Sequence, residues 1–63
     1  SAVEEMDEEE KKIYTCIGKE PVSIEYIKDK SGMSLQDVQY ILAMLEINGA
    51  ITKLPGERYI TAV

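Results

Sequence analysis

The stretch from Ser34 to Thr61 constrains the fold most, because it reads as an amphipathic helix, a glycine stop and a pair of short strands around Pro55-Gly56. Leu35, Val38, Ile41, Leu42 and Leu45 recur at the three-and-four spacing that gathers side chains into one arc of a 3.6-residue helix. Ser34 is the expected N-cap, and Asp37, three positions on, resembles the reciprocal half of a capping box. Gly49 is the expected stop, since the residue after a last helical turn often takes a left-handed conformation that glycine reaches without strain. Beyond it, Ala50 to Leu54 and Arg58 to Thr61 are rich in β-branched and aromatic residues. Pro55 fixes one φ and Gly56 permits a positive one. The connecting loop should hold three or four residues, because a Pro-Gly type II pair alone would splay the strands.

The chain before Ser34 supplies two more helices. Asp7 is an expected N-cap with Glu10 at the third helical position, and Glu8 and Glu9 sit where the helix dipole favours negative charge. Met6, Ile13, Cys16 and Ile17 share a face with Tyr14 on its flank, and Gly18 is the expected end. Pro21 forbids simple helix continuation, and Val22 is placed to form one short strand beside the later hairpin. Ser23 caps a second helix in which Ile24 and Ile27 face inward, with Tyr26 and Lys28 towards the edge, and Ser31-Gly32 closes it. Only Gly32-Met33 then separates it from Ser34, the tight turn of a helix-turn-helix. The expected fold is mainly α, of α+β type: a small winged helix-turn-helix with three helices and a C-terminal β-hairpin wing, over residues 6–63. A plain three-helix bundle would leave Ile51, Tyr59 and Ile60 exposed. Residues 1–5 have no periodicity and read as a disordered remnant of a linker or of an expression boundary.

Sixty-three residues make one domain at most, of a size that buries only about 60% of its unfolded surface. One Cys and no His exclude an internal disulfide framework and the common zinc ligand sets, so no metal or cofactor is expected. No apolar run approaches the roughly 18 residues needed to span a bilayer, and no signal-peptide pattern is present, so a cytoplasmic location is expected. The net charge of −5 is unevenly placed: Glu4, Glu5, Asp7, Glu8, Glu9 and Glu10 are six of the twelve acids, and from Lys11 onward seven bases face six acids. The fold proper is therefore near neutral, without the basic stripe that dominates non-specific nucleic-acid binding. A solvated first helical turn is the plainest account of the acidic run. Cys16 lies among apolar neighbours with no His or cationic cluster nearby, which predicts a buried inert thiol. With no Gly-rich phosphate loop, no metal set and no base to activate Ser or Cys, an enzyme is not expected.

Four marks carry a narrower comparison: Met6-Asp7-Glu8-Glu9-Glu10 leading to Ile13; Pro21-Val22-Ser23-Ile24-Glu25-Tyr26-Ile27; Leu45-Glu46-Ile47-Asn48-Gly49 at a helix end; and Pro55-Gly56-Glu57-Arg58-Tyr59 at the wing. Together they resemble, in order and spacing, the C-terminal winged-helix domain of the DprA/Smf family of DNA-processing proteins. The resemblance implies a fragment of a larger bacterial protein whose main part is a Rossmann-like domain that binds single-stranded DNA. It also implies that the chain ends, two residues after Thr61, where such a protein would. Family members protect incoming DNA during natural transformation and help load the RecA recombinase. Winged helices that bind left-handed DNA place an Asn and a Tyr one turn apart on helix three; the matching positions here are Gln39 and Ala43, so that activity is not carried over.

Two sets of residues are candidates for contact. Lys53 and Arg58 flank the wing tip and are expected to reach phosphates, with Gln36, Gln39 and Tyr40 of helix three approaching bases or backbone. Against this, the outer face of helix three carries Gln36, Gln39, Tyr40, Ala43, Met44 and Ile47 with no Lys or Arg, which suits a protein partner better. On that reading Tyr40, Ala43, Met44 and Ile47 dock on the parent protein's Rossmann-like domain, on a second copy, or on a recombination partner such as RecA.

Overall fold

A computed structural model describes residues 4–62. The order of elements is α1 (Glu8–Cys16), β1 (Val22–Ser23), α2 (Ile24–Ser31), α3 (Leu35–Ile47), β2 (Ile51–Leu54) and β3 (Arg58–Thr61). Three helices and a three-stranded antiparallel sheet of order β1-β3-β2 form a winged helix. Its dimensions are 27 × 22 × 16 Å. No helix among the described residues is long and apolar enough to cross a membrane. Residues 1–3 of the expected N-terminal remnant lie outside the described residues, while Glu4 and Glu5 form an exposed turn.

The helix starts are set by side chains. Asp7 Oδ1 accepts from the Glu10 amide at 2.8 Å and Glu10 Oε1 accepts from the Asp7 amide at 3.1 Å, a complete capping box. Ser23 Oγ accepts from the Tyr26 amide and Ser34 Oγ from the Asp37 amide, each at 3.1 Å. Each bond satisfies one of the backbone donors that a first turn leaves without an intrahelical acceptor. The turn between α2 and α3 is secured by Ser31, whose buried hydroxyl donates to the Lys28 carbonyl and accepts from the Met33 amide.

The helix ends differ from one another. At α3 the Gly49 amide donates to Glu46 and the Ala50 amide to Leu45, with Gly49 at φ 79, a paired closure with buried Ala50 and Leu45 at its two ends. Gly32 closes α2 at φ 73. Gly18, however, does not end α1: the helix stops at Cys16 and Ile17 is already extended at φ −104, ψ 138. Ile17 and Met6 are both buried, but from just outside the helix rather than on its face. The role of Gly18 is to offer its carbonyl to Thr61, which donates through its amide at 3.0 Å and its hydroxyl at 3.3 Å. That pair fastens the end of the sheet to the α1–β1 connector.

The core is formed by Met6, Ile13, Ile17, Ile27, Val38, Ile41, Leu42, Leu45, Ala50, Ile51 and Tyr59, with Tyr14, Cys16, Val22, Ile24 and Met33 packed at its margin. Two expectations are corrected here. Leu35 is 43% exposed, because it is the first residue of α3 and the packed layer begins one turn later at Val38. Cys16 is half-buried rather than buried, at the C-terminal end of α1, where its Sγ donates to the Lys12 carbonyl at 3.3 Å.

The wing closes through three residues, Pro55, Gly56 and Glu57, between the paired residues Leu54 and Arg58. Gly56 has φ 83, and Glu57 also lies in the left-handed region at φ 56. The second left-handed residue supplies the twist that a Pro-Gly pair lacks, which is why the strands stay paired.

Candidate functional site

α3 packs on α1 and α2 through one face and leaves the other to solvent. On the exposed side, Tyr40 is 68% and Ile47 77% accessible, and Gln36, Gln39 and Ala43 are exposed beside them. Met44 departs from the expected outward set: it is half-buried, because it leans with Ile41 towards the first turn of α1. The candidate face therefore divides. Gln36, Ala43 and Ile47 form its crest, with Tyr40 at one edge and Gln39 on the opposite flank, as a turn of about 100° per residue requires.

Between the Tyr40 edge and α1 lies a groove of about 280 Å³, lined by Asp7, Glu9, Glu10, Asp37, Tyr40, Ile41 and Met44. The four α3 positions stand at i, i+3, i+4 and i+7, one continuous stripe. The three acids at the start of α1 are the N-cap and two residues of the first turn, and two of them, Asp7 and Glu10, are held by the capping box. The sequence alone assigns these acids to solvated helix capping. Their meeting with Asp37 across an apolar floor depends on how α1 crosses α3, which no local spacing encodes.

The wing cations stand on different faces of the ribbon. Lys53 is registered opposite Tyr59, and Arg58 opposite Leu54 and, on the other strand, Ser23. Residues paired across strands share a face and successive residues alternate, so Lys53 and Arg58 project from opposite faces of the ribbon. Both are exposed. Lys53 belongs to the same face as the buried Tyr59. Burial raises the Tyr59 phenol above the ordinary 10.0, Lys53 draws it back down, and Glu46 and Glu57 push it up again. Lys53 thus stands in a local field with two carboxylates, whereas Arg58 lies on the outer face with its Nε 3.9 Å from the point where a side chain on Gly56 would begin.

Among the described residues no group of three or more His, Cys, Asp or Glu is arranged to hold a metal ion. A family model described as the DprA winged helix domain matches residues 1–57, most of the chain and all of the fold up to the wing tip. The chain belongs to the DprA winged-helix domain family. No curated protein and no solved structure matches it. The matched region includes all three helices, the groove and the wing turn, but β3 with Arg58 and Tyr59 falls beyond it.

Proposed function

We propose that this chain is the non-enzymatic accessory domain of a bacterial, cytoplasmic DNA-processing protein of the DprA type, serving DNA uptake in natural transformation and RecA-linked recombination, and that it works chiefly by docking protein through α3. One observation carries the choice of docking: the helix in the recognition position presents Tyr40 and Ile47 at 68% and 77% exposure and carries no cation, while Asp37 and Glu46 lie on its sides. An exposed aromatic with an aliphatic neighbour is the composition of an interface centre, whereas phosphate contact calls for Arg, Lys or backbone amides. The parent protein's Rossmann-like domain is the first partner to consider, followed by a recombination partner or a second copy. A weak DNA contact belongs to the wing, and there to Arg58, because that side chain is exposed on the outer face beside the turn.

The test is an amide NMR titration with short single- and double-stranded DNA at low and then moderate salt, together with the Rossmann-like domain of the parent protein. Docking predicts shifts at Tyr40, Ala43 and Ile47 with the protein partner that persist at moderate salt. DNA shifts should be confined to the wing and fade with salt. Salt-resistant DNA shifts at Gln36 and Gln39 would instead make α3 a reading helix.

A further inference from the structure

The groove between α1 and α3 combines two properties. Its floor is apolar, built from Tyr40, Ile41 and Met44, and its rim is acidic, built from Asp7, Glu9, Glu10 and Asp37. We propose that this groove receives a cationic amphipathic segment of a partner protein, an apolar side chain entering between Tyr40 and Met44 and Lys or Arg on either side meeting the carboxylates. The inference rests on the docking reading of α3 and deepens it by naming the chemistry of the partner and the part of the face it uses.

Charge complementarity selects this occupant from the alternatives. A nucleic acid would bring phosphates against four carboxylates, and an acidic peptide would meet the same repulsion. A purely apolar segment would fill the floor but strip water from the rim without replacing it, which is costly for charged groups. A cationic segment satisfies both parts, since its aliphatic stems cover apolar surface while their charged ends reach the rim.

Two of the four rim carboxylates are held in place before a partner arrives. Asp7 and Glu10 are each fixed by the other's backbone amide in the capping box, at 2.8 and 3.1 Å. Asp37 sits in the first turn of α3, its amide bound by the Ser34 hydroxyl. Each ionised carboxyl accepts more than one hydrogen bond, so the capping bonds leave Asp7 and Glu10 with acceptor capacity facing the groove. Less ordering remains to be done at Asp7 and Glu10 on binding, which favours affinity. The three stripe positions Tyr40, Ile41 and Met44 match the i, i+1, i+4 outline of a helix face against which a second helix or an extended segment rests.

The experiment uses the chain as it stands and three capped synthetic peptides: an amphipathic Leu/Lys helix former, its Leu/Glu counterpart, and a Ser/Lys peptide of equal charge without the apolar face. The Leu/Lys peptide is expected to shift the amides of Glu9, Tyr40, Ile41 and Met44 and to bind on the order of tenfold more tightly than the Ser/Lys peptide. Binding should weaken severalfold in Glu9→Gln with Asp37→Asn, and remain unchanged in Glu25→Gln with Glu57→Gln, which removes the same charge outside the groove. Equal weakening in both double variants would reduce the effect to net charge and overturn the site. Equal binding of the Leu/Glu peptide would overturn the cationic occupant while leaving α3 a docking face. Absence of shifts with every peptide would overturn the groove, and the docking reading would then be judged separately on whether the parent domain moves Ala43 and Ile47. Concentration-dependent shifts of the groove residues without any peptide would make the occupant a second copy of the chain and also overturn the proposal.

Discussion

Glu57 is the residue at which chain geometry and side-chain chemistry disagree most. It holds φ 56 in the wing loop, a conformation that costs an L-residue with a β-carbon about 1 kcal/mol or more. Replacing Glu57 by Gly should therefore stabilise the domain by roughly 0.5 kcal/mol after the entropy that glycine loses on folding. Urea unfolding followed by circular dichroism checks this, and a loss of stability would mean that the Glu57 side chain supports the loop. At the same scale, Tyr59 carries a pH dependence. Its phenol titrates above 10.0 in the folded state, chiefly from burial, with Lys53 opposing and Glu46 and Glu57 reinforcing. A folded pKa above the unfolded one means that the folded state holds the proton more tightly. The contribution is thus fully present below about pH 10 and lost as pH rises through the folded value. Tyr59→Phe should flatten that alkaline decline. Lys53→Gln should move the Tyr59 titration further upward in ring-proton NMR, and a downward movement would show that Lys53 does not act on the phenol.

Elements reveal what local sequence encodes and what it does not. The starts of all three helices were legible, because Asp7, Ser23 and Ser34 each act through a bond to the third residue on, a purely local geometry. The wing was legible for the same reason, its Pro55-Gly56 turn being written in two adjacent residues. Gly18 was misread because a glycine after an apolar run signals a stop only when the chain turns left-handed there, and the extended Ile17 had already ended α1. Its actual partner, Thr61, is 43 positions away. Leu35 was misread because helical periodicity places a residue on a face without saying where along that face the core ends. The contrast predicts that Gly49→Ala destabilises by about 1 kcal/mol, since φ 79 strains any side chain there, whereas Gly18→Ala is close to neutral, with open space around its added carbon. Thermal unfolding of the two variants side by side decides it, and similar losses would give Gly18 a conformational role that its backbone does not indicate.

Across the whole molecule, charge is sorted by location. The acids of the α1 start and Asp37 gather at one groove, Arg58 stands on the outer face of the wing, and Lys53 stands on the inner face with Glu46 and Glu57 acting on the same phenol. Tyr40 and Met44 are picked out by the sequence as surface candidates, but the acids beside them read there as helix caps, because helix crossing sets which acids meet and strand register sets which cations share a face. Two consequences separate a sorted surface from a scattered one. Arg58→Glu should abolish most of whatever DNA affinity the wing has, and adding Lys53→Glu should change it little further, since a single ribbon face meets a phosphate backbone at one time. Had both cations served one contact, the two reversals would each cost a similar factor and combine. Fluorescence anisotropy with labelled DNA across a salt series distinguishes the two: the slope of log affinity against log salt should fall by about one unit for Arg58→Glu and remain there in the double variant. A further unit lost with Lys53→Glu would mean that DNA wraps the wing tip and touches both faces of the ribbon.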